Sequence, residues 1–240
     1  MAATPEPEKR IARYDWEGIR ATLDRRGWAV LPKLLTAREC TAVAGLYAKQ
    51  ERFRKTVVMA RHGYGRGAYR YFDYPLPELV AGLRATLYPR LAQLASRWYR
   101  DLRFGVEFPD SHAEFLTRCH TAGQKKATPL ILAYGPGDYN CLHQDLYGAQ
   151  VFPLQAAVLL DAPGKDFDGG EFVLTEQRPR RQSSAAVVPL ERGDAVIFAV
   201  NYRPVEGKRG PYRVAMRHGV SEVRTGRRRT LGIIFHDAKS

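Results

Sequence analysis

The feature that most constrains this fold is a change of character near Pro129. From there on, short apolar runs alternate with Gly, Pro and Asp turns, and no run has a helical period. The runs cover residues 130–134, 155–160, 171–174, 195–200, 213–220 and 230–235. Six runs at this spacing favour an antiparallel barrel or sandwich. We therefore predict an α+β fold in which residues 128–238 form a jelly-roll core.

The residues before this point predict helices that pack on the core. Residues 16–26 have helical spacing, with Asp15 as a candidate N-cap and Gly27 as the stop. Thr36 and Glu39 have capping-box spacing and begin a second helix that extends to about residue 50. Leucines three or four residues apart predict a third helix over 79–100, broken near Pro89.

The other N-terminal segments predict no regular structure. Residues 1–11 are rich in Pro, Glu and Lys and predict a disordered tail. Residues 53–74 are rich in Gly, Arg and Tyr without a clear period, which predicts an irregular segment. Since no separable linker follows, we predict one domain over 12–240, with a helical part over 12–127.

The net charge and the cysteine spacing indicate which partners and which cellular compartment to expect. Lys and Arg total 38 against 25 Asp and Glu, a formal net charge of +13. This charge is compatible with nucleic acid as a partner, although solubility alone also explains it. No apolar run approaches the ~18 residues of a membrane span, and the start has no secretory h-region. The three cysteines contain no C-x-x-C, so we predict a cytoplasmic protein without membrane contact.

A small group of histidines and one acid carries the chemistry. His143 and Asp145 form an H-x-D triplet, and on a strand both side chains point to the same face. Roughly one His followed two residues later by Asp or Glu is expected by chance in this composition. The sequence contains a second example, His112 with Glu114, and we interpret that pair as surface or helical. His218 at the end of a late strand completes two imidazoles and one carboxylate, the facial triad of non-haem iron.

A second group follows ten residues after His218. Arg228 and Thr230 share one face of a strand. A guanidinium can hold a carboxylate with two bonds, and a neighbouring hydroxyl can add a third. This fits the far carboxylate of a dicarboxylic acid whose other end chelates iron. The alternative is that residues 227–229 are a solvated basic run.

These residues lie within a series of motifs that resembles the iron(II)/2-oxoglutarate-dependent dioxygenases. The motifs occur in the same order at 134–137, 142–145, 168–171, 192–198, 217–220 and 226–228. Residues 134–145 resemble AlkB-type nucleic-acid demethylases, whereas the spacing from His218 to Arg228 resembles the prolyl-hydroxylase branch. Leu132 stands where AlkB-type enzymes carry a polar contact. The whole chain resembles a bacterial family of such oxygenases linked to damaged nucleic acid.

The resemblance implies a double-stranded β-helix (jelly roll) and assigns roles. His143, Asp145 and His218 are the implied metal and catalytic residues, with Fe(II) and O2. Arg228, with Thr230 and Tyr134, is the implied site for the cosubstrate 2-oxoglutarate. The implied reaction is hydroxylation of a C–H bond with release of succinate and carbon dioxide. On an N-alkyl group, the hydroxylated product releases formaldehyde.

Three functions stay open at this stage. The first is oxidative dealkylation (demethylation) of damaged nucleic acid in DNA repair, with Tyr64, Arg66 and Tyr69 as candidate substrate residues. Their Arg, Gly and aromatic interleaving suits base stacking and phosphate contact, although a packed active-site loop would look the same. The second is a prolyl-hydroxylase-like protein or small-molecule hydroxylase. The third is a non-catalytic jelly-roll binding module.

Neighbouring residues leave further expectations. Cys141 is two residues before His143, and we interpret it as a small core residue. His62 and His120 are interpreted as surface or loop histidines. His236 lies just past the last predicted strand, and no role is assigned to it. The alkyl group, the physiological metal and the oligomeric state do not follow from the sequence.

Overall fold

The computed structural model describes residues 6–239, and within that range the chain forms five α-helices and fifteen strands. The helices are α1 (Pro7–Ala12), α2 (Trp16–Arg26), α3 (Ala37–Leu46), α4 (Glu78–Asp101) and α5 (His112–Thr121). The strands are β1 (Trp28–Leu31), β2 (Phe53–Val58), β3 (Gly65–Arg66), β4 (Ala68–Phe72), β5 (Leu130–Tyr134), β6 (Tyr139–His143), β7 (Leu154–Leu159), β8 (Phe167–Gly169), β9 (Phe172–Gln177), β10 (Ser184–Val188), β11 (Ala195–Ala199), β12 (Tyr202–Val205), β13 (Tyr212–Val220), β14 (Val223–Gly226) and β15 (Arg228–Ile233).

The helix-terminus signals in the sequence are confirmed. The Asp15 side chain accepts a hydrogen bond from the backbone N–H of Gly18, and α2 ends at Gly27 in the left-handed region. Thr36 and Glu39 form a complete capping box at the start of α3. This helix ends at Leu46, earlier than the residue 50 expected from the sequence.

Helix α4 passes through Pro89 without a break, which corrects the predicted interruption. The side chains of Leu83, Leu87 and Leu91 are fully buried on the same face of this helix. They belong to the same hydrophobic core as Val158 of β7. Packing of this apolar face stabilises the helix despite the local cost of one proline.

The strands form two large antiparallel sheets. The major sheet has seven strands in the order β1-β11-β7-β15-β5-β4-β2. The minor sheet contains β10-β9-β13-β6-β3, and β12 also pairs with β13. Strands β8 and β14 pair separately. All six predicted strands are present, with ends that differ by a few residues.

The major sheet is covered on both faces, and its alternation places the site. In β7, Ala156 and Val158 pack in the core that includes the helices, while Ala157 packs with a cluster from the minor sheet. Strand β11 alternates in the same way, with Ile197 towards the helices and Phe198 on the other side. Period-two alternation therefore directs one face of each strand into the space between the two sheets.

The structure corrects the predicted disordered tail from Pro7 onward. Residues 7–12 form α1, and Ile11 is fully buried in the main core. Two buried residues, Pro7 and Ile11, in a short polar helix give too weak a periodic signal to detect. Residues 1–5 of the predicted tail lie outside the described residues.

The predicted irregular segment over 53–74 was also wrong. It contains β2, β3 and β4, and β4 pairs with both β2 and β5. Amphipathic Arg and Tyr side chains hide the period, since Arg70 lies 4.4 Å from the Tyr47 ring centroid and is only partly exposed. The left-handed backbone at Gly65 and Gly67 interrupts the pattern further.

The predicted division into a helical half and a strand half therefore needs revision. Strands β1, β2 and β4 come from the N-terminal part and extend both edges of the major sheet. The single domain over 12–240 stays a prediction, as does the cytoplasmic location. No helix within residues 6–239 combines the length and apolar character needed to cross a membrane.

Candidate metal centre

Neighbouring strands of the minor sheet bring the predicted metal residues together. His143 is the last residue of β6 and pairs in register with His218 of β13, and their ring centroids are 4.2 Å apart. Asp145 lies just beyond β6, so the H-x-D triplet spans a strand end and is not wholly within the strand. One candidate ligand atom from each residue lies within 4.8 Å of the others. Among the described residues, no other His, Cys, Asp and Glu group of this kind occurs.

The protonation states suit metal binding. Burial and the neighbouring His143 lower the pKa of His218 to about 4, so its imidazole is neutral at pH 7. Burial alone would raise the pKa of Asp145, but hydrogen bonding to His218 and the charges of both histidines hold it well below its usual value. The centre therefore combines an anionic carboxylate with a neutral imidazole.

The first histidine is oriented by the backbone. His143 Nδ1 lies 2.8 Å from the carbonyl oxygen of Cys141. Because a carbonyl only accepts, Nδ1 carries the proton, which leaves the Nε2 lone pair free. His143 Nε2 is 3.6 Å from Asp145 Oδ1, and His218 Nε2 is 3.4 Å from Asp145 Oδ2. Two imidazole nitrogens and a carboxylate oxygen are a donor set that fits a divalent first-row metal.

The second predicted group lies in the same space. Arg228 on β15 pairs in register with Tyr134 on β5, and its guanidinium lies 5.5 Å from that ring centroid. Arg228 Nη1 donates a 2.7 Å hydrogen bond to Thr230 Oγ1. All three residues and the metal triad line one cavity of about 440 Å³.

Arg228 is a buried charge without a counter-ion in the protein. Its exposed fraction is 1%, and burial lowers its pKa. Among the described residues, no Asp or Glu lies within ion-pair distance of it. Its Nε atom and the Tyr134 hydroxyl are buried without a hydrogen-bond partner in that part of the chain. A cluster of this composition fits an anionic group.

The predicted substrate residues divide into two groups. Tyr64 and Tyr69 line the cavity, and the Tyr64 side chain is 50% exposed. The Tyr64 ring stacks on His62 at 5.4 Å, and His62 is exposed as expected. Arg66 is exposed on β3 but does not line the cavity.

Other predictions for single residues need correction. Cys141 is exposed and lines the cavity, so it is not a core residue. His120 lies on α5 and not in a loop, its side chain is 42% exposed as expected for a surface histidine, and its Nε2 lies 2.8 Å from an Asp237 oxygen. His112 begins α5 as a buried residue outside the metal group. His236 is fully buried, and its Nδ1 accepts a bond from the backbone N–H of Phe152.

Sequence reasoning missed three residues that contact the centre or lie behind it. Tyr147 and Gln155 each donate a hydrogen bond to Asp145, and Tyr71 bonds to Tyr147. The available signal was Gln155, a polar residue within the otherwise apolar and fully buried β7. Tyr71 gave no signal, because its strand had no recognisable period.

Solved structures share this fold. An oxidoreductase of the 2OG-Fe(II) oxygenase family from Burkholderia pseudomallei has a TM-score of 0.52 at 18% identity, over 94% of this chain and 93% of that chain. A prolyl-4-hydroxylase from Pseudomonas putida has a TM-score of 0.51 at 16% identity, over 90% of this chain and 96% of that chain. The mixed helix and antiparallel-sheet fold is thus similar to that of the 2OG-Fe(II) oxygenases.

The sequence matches a narrower group. The model of the Oxygenase-NA family, described as an oxygenase catalysing oxidative methylation of damaged DNA, matches residues 67–238. Uncharacterized proteins from two strains of Mycobacterium tuberculosis are 44% identical over 173 residues, which is 72% of this chain and 74% of each relative. The chain belongs to the Oxygenase-NA family and is an oxidoreductase. The oxygenase family suspected from the sequence is confirmed.

Proposed function

We propose that the protein is an iron(II)/2-oxoglutarate-dependent dioxygenase that dealkylates damaged nucleic acid by C–H hydroxylation. One observation carries this proposal. The His143, Asp145 and His218 triad shares a single cavity with the buried, counter-ion-free guanidinium of Arg228. A metal triad alone would suit many reactions, but the added anion site selects a dicarboxylic cosubstrate.

Three side chains would hold the metal and three the cosubstrate. His143, Asp145 and His218 would bind Fe(II), and such a triad leaves other coordination positions for non-protein ligands. Arg228 would pair with the far carboxylate of 2-oxoglutarate, with hydroxyl groups from Thr230 and Tyr134 beside it. When bound, iron and 2-oxoglutarate supply the oxidant from O2 for C–H hydroxylation, with succinate and carbon dioxide as coproducts.

The chain's own residues prepare the cavity for this chemistry. Burial keeps His218 neutral, and the contact with His218 together with the Tyr147 hydrogen bond keeps Asp145 ionised, so these two ligands need no deprotonation near pH 7. Phe172 and Phe198 lie against His218, with ring centroids at 6.1 and 4.6 Å, and limit water on that side. We further propose that the two sheets correspond to a double-stranded β-helix and act as one domain.

The cavity mouth supports a nucleic-acid substrate. Tyr64 is half exposed, stacks on His62 and lines the cavity, so the pair offers an aromatic face to a base that has left its stack. Tyr69 lies deeper, and the exposed Arg66 on β3 is available to a phosphate. The net charge of +13 supports the same partner.

The test is a cosubstrate-turnover assay with a substrate panel. Purified protein with Fe(II) should convert 2-oxoglutarate to succinate, and a chelator should stop the conversion. Methylated single-stranded oligonucleotides should release formaldehyde and bind less tightly as salt rises. Turnover with a peptide or small molecule but no oligonucleotide would instead establish the hydroxylase alternative. No iron-dependent turnover with any substrate would leave the non-catalytic binding module.

A further inference from the structure

The carboxylate of Asp145 is held by one donor on each oxygen. The Tyr147 hydroxyl donates a 2.6 Å hydrogen bond to Oδ1, and Gln155 Nε2 donates a 2.9 Å bond to Oδ2. Asp145 itself is 8% exposed, and both donors line the same cavity. A carboxylate with both oxygens fixed cannot rotate freely about its last side-chain bond.

The first donor belongs to a directed chain of hydroxyl groups. An ionised carboxylate only accepts, so Tyr147 must donate its proton to Asp145. The Tyr71 hydroxyl, 3.1 Å from the Tyr147 oxygen, must then donate to Tyr147. The two rings meet edge to face with centroids 6.3 Å apart. The chain thus runs from β4 of the major sheet to the Asp145 carboxylate.

The backbone that carries Tyr147 is also fixed. Gln124 is fully buried and donates through Nε2 to the carbonyl oxygens of Tyr147 and Gln150, each at 3.0 Å. Its Oε1 accepts from the backbone N–H of Gln150 at 2.7 Å. Gln124 therefore holds the irregular segment after β6 at Tyr147 itself and at Gln150, three residues later.

The second donor is placed by the major sheet. Gln155 is on β7, which is buried along its whole length, and the Gln155 side chain itself is 5% exposed. Its Nε2 lies 2.9 Å from Asp145 Oδ2 and 3.4 Å from His218 Nε2. A single amide group thus touches two of the three candidate ligands. Its Oε1 is buried without a partner among the described residues, so packing and not a second hydrogen bond sets its position.

We propose that Tyr147 and Gln155 are positioning residues of the metal centre, which fix the Asp145 carboxylate from opposite sides before metal arrives. The inference rests on the proposed function, since it requires that the triad binds a metal. Outer partners of metal ligands typically change metal affinity by about 10- to 100-fold when they are removed. Tyr71 acts one step further out, so its removal should have a smaller effect.

The test measures metal binding without turnover. Metal-free full-length protein is titrated with Co(II) alone, and affinity is followed by calorimetry while the visible absorption of bound Co(II) reports the ligand arrangement. Tyr147→Phe removes one hydroxyl, and Gln155→Met removes the amide at similar length. Each should weaken Co(II) binding about 10- to 100-fold and alter the Co(II) spectrum. Tyr202→Phe, on β12 outside the cavity, is the matched control and should match the wild type.

A further variant separates positioning from space filling. Gln155→Glu keeps the size of the side chain but replaces the donor to Asp145 with an acceptor. With a space-filling role, the added negative charge beside the metal predicts Co(II) affinity at or above the wild-type value, whereas positioning predicts a loss, because the new carboxylate cannot donate to Asp145 and repels it. Wild-type affinity and spectrum in both Tyr147→Phe and Gln155→Glu would overturn the inference. Failure of the wild type to bind Co(II) would instead overturn the proposed function, so the two failures are distinguishable.

Discussion

Among the described residues the molecule buries three arginines. Arg203 forms an ion pair with Glu176, and the other two differ in how their charge is satisfied. Arg84 on α4 and Arg228 on β15 are each 1% exposed. Arg84 donates to the Ile234 carbonyl oxygen at 2.8 Å, and its Nη2 forms a 2.8 Å ion pair with Asp237. It also bonds to the Tyr74 and Thr128 hydroxyl groups.

Arg228 bonds only to the Thr230 hydroxyl within the described residues, and its Nε has no partner there. A buried guanidinium is costly unless its charge and N–H groups are matched. The chain supplies the match for Arg84 through a residue 153 positions away, which ties α4 to the C-terminal segment. At Arg228 the match is left to a ligand. The buried charge of Arg84 therefore stabilises the packing of α4 on the C-terminal segment, whereas the buried charge of Arg228 indicates a ligand-binding site.

The largest effect is expected where the site loses its anionic metal ligand. Asp145→Ala should abolish succinate formation while the fold is retained, because the carboxylate serves the metal and not the Arg84 cluster. His143→Ala should do the same. Succinate is measured with excess Fe(II), and Asp168→Ala serves as the control, since Asp168 is exposed and outside the cavity. Turnover like the wild type in either site variant would refute the assignment.

The next largest effect is expected on stability, when Arg84 loses its ion-pair partner. Asp237→Ala leaves Arg84 buried without its counter-ion, and removing one partner of a buried pair costs about 3–5 kcal/mol of unfolding free energy. Urea unfolding monitored by circular dichroism measures the loss. The control is again Asp168→Ala, because its ion pair with Arg224 is exposed and contributes little. A loss below about 1 kcal/mol would mean that Asp237 does not compensate Arg84.

Unlike Asp237→Ala, Arg228→Met should weaken cosubstrate binding and leave the unfolding free energy undiminished. A hydrogen bond to a charged group is worth about 1.5–3 kcal/mol, so the KM for 2-oxoglutarate should rise by roughly 10- to 100-fold. Stability should not fall, because the variant removes a buried charge that has no partner in the protein. Arg224→Met, an exposed arginine outside the cavity, should leave KM unchanged. An unchanged cosubstrate KM in Arg228→Met would remove Arg228 from its proposed role.

The two clusters also differ in what the sequence could predict. Arg228 and Thr230 share a face of β15, as their spacing predicted, and His143 lies beside Asp145 although Asp145 is just beyond the end of β6. The close spacing within each pair therefore let the sequence predict these groupings. The six core strands followed for the same reason. Tyr71, by contrast, reaches the site through pairing of β4 with β5, and residues around it showed no period.

The contacts that the sequence could not predict join segments that are far apart along the chain. The bond from Arg84 to Asp237 joins residues with no common motif, and the Tyr147 and Gln155 contacts with Asp145 depend on how the irregular segment after β6 folds back. The helix α1 follows the same rule, since the burial of Ile11 in the core and the bonds from Arg10 to Leu34 and Glu39 are long-range contacts. Local spacing therefore predicted which residues share a strand face, whereas long-range packing decided what supports them.

The smallest expected effect compares one threonine from each cluster. Thr128 accepts a 3.2 Å hydrogen bond from Arg84, and Thr230 accepts a 2.7 Å bond from Arg228. Both hydroxyl groups are buried, and valine replaces threonine with similar shape. A neutral hydrogen bond is worth about 0.5–1.5 kcal/mol. Thr230→Val should therefore raise the 2-oxoglutarate KM by about 2- to 10-fold, with a smaller loss of urea stability than Thr128→Val, because the Thr230 hydroxyl has one protein partner and the Thr128 hydroxyl has more than one.

Thr128→Val should give the reverse result. Its hydroxyl also donates to the His236 carbonyl oxygen at 2.5 Å, so the variant leaves a buried acceptor and a buried guanidinium less well satisfied. Unfolding free energy should fall by about 1–3 kcal/mol, whereas the cosubstrate KM should stay at the wild-type value. Because each variant serves as the control for the other, equal changes in both measurements would show that the two arginine clusters are not separate in function.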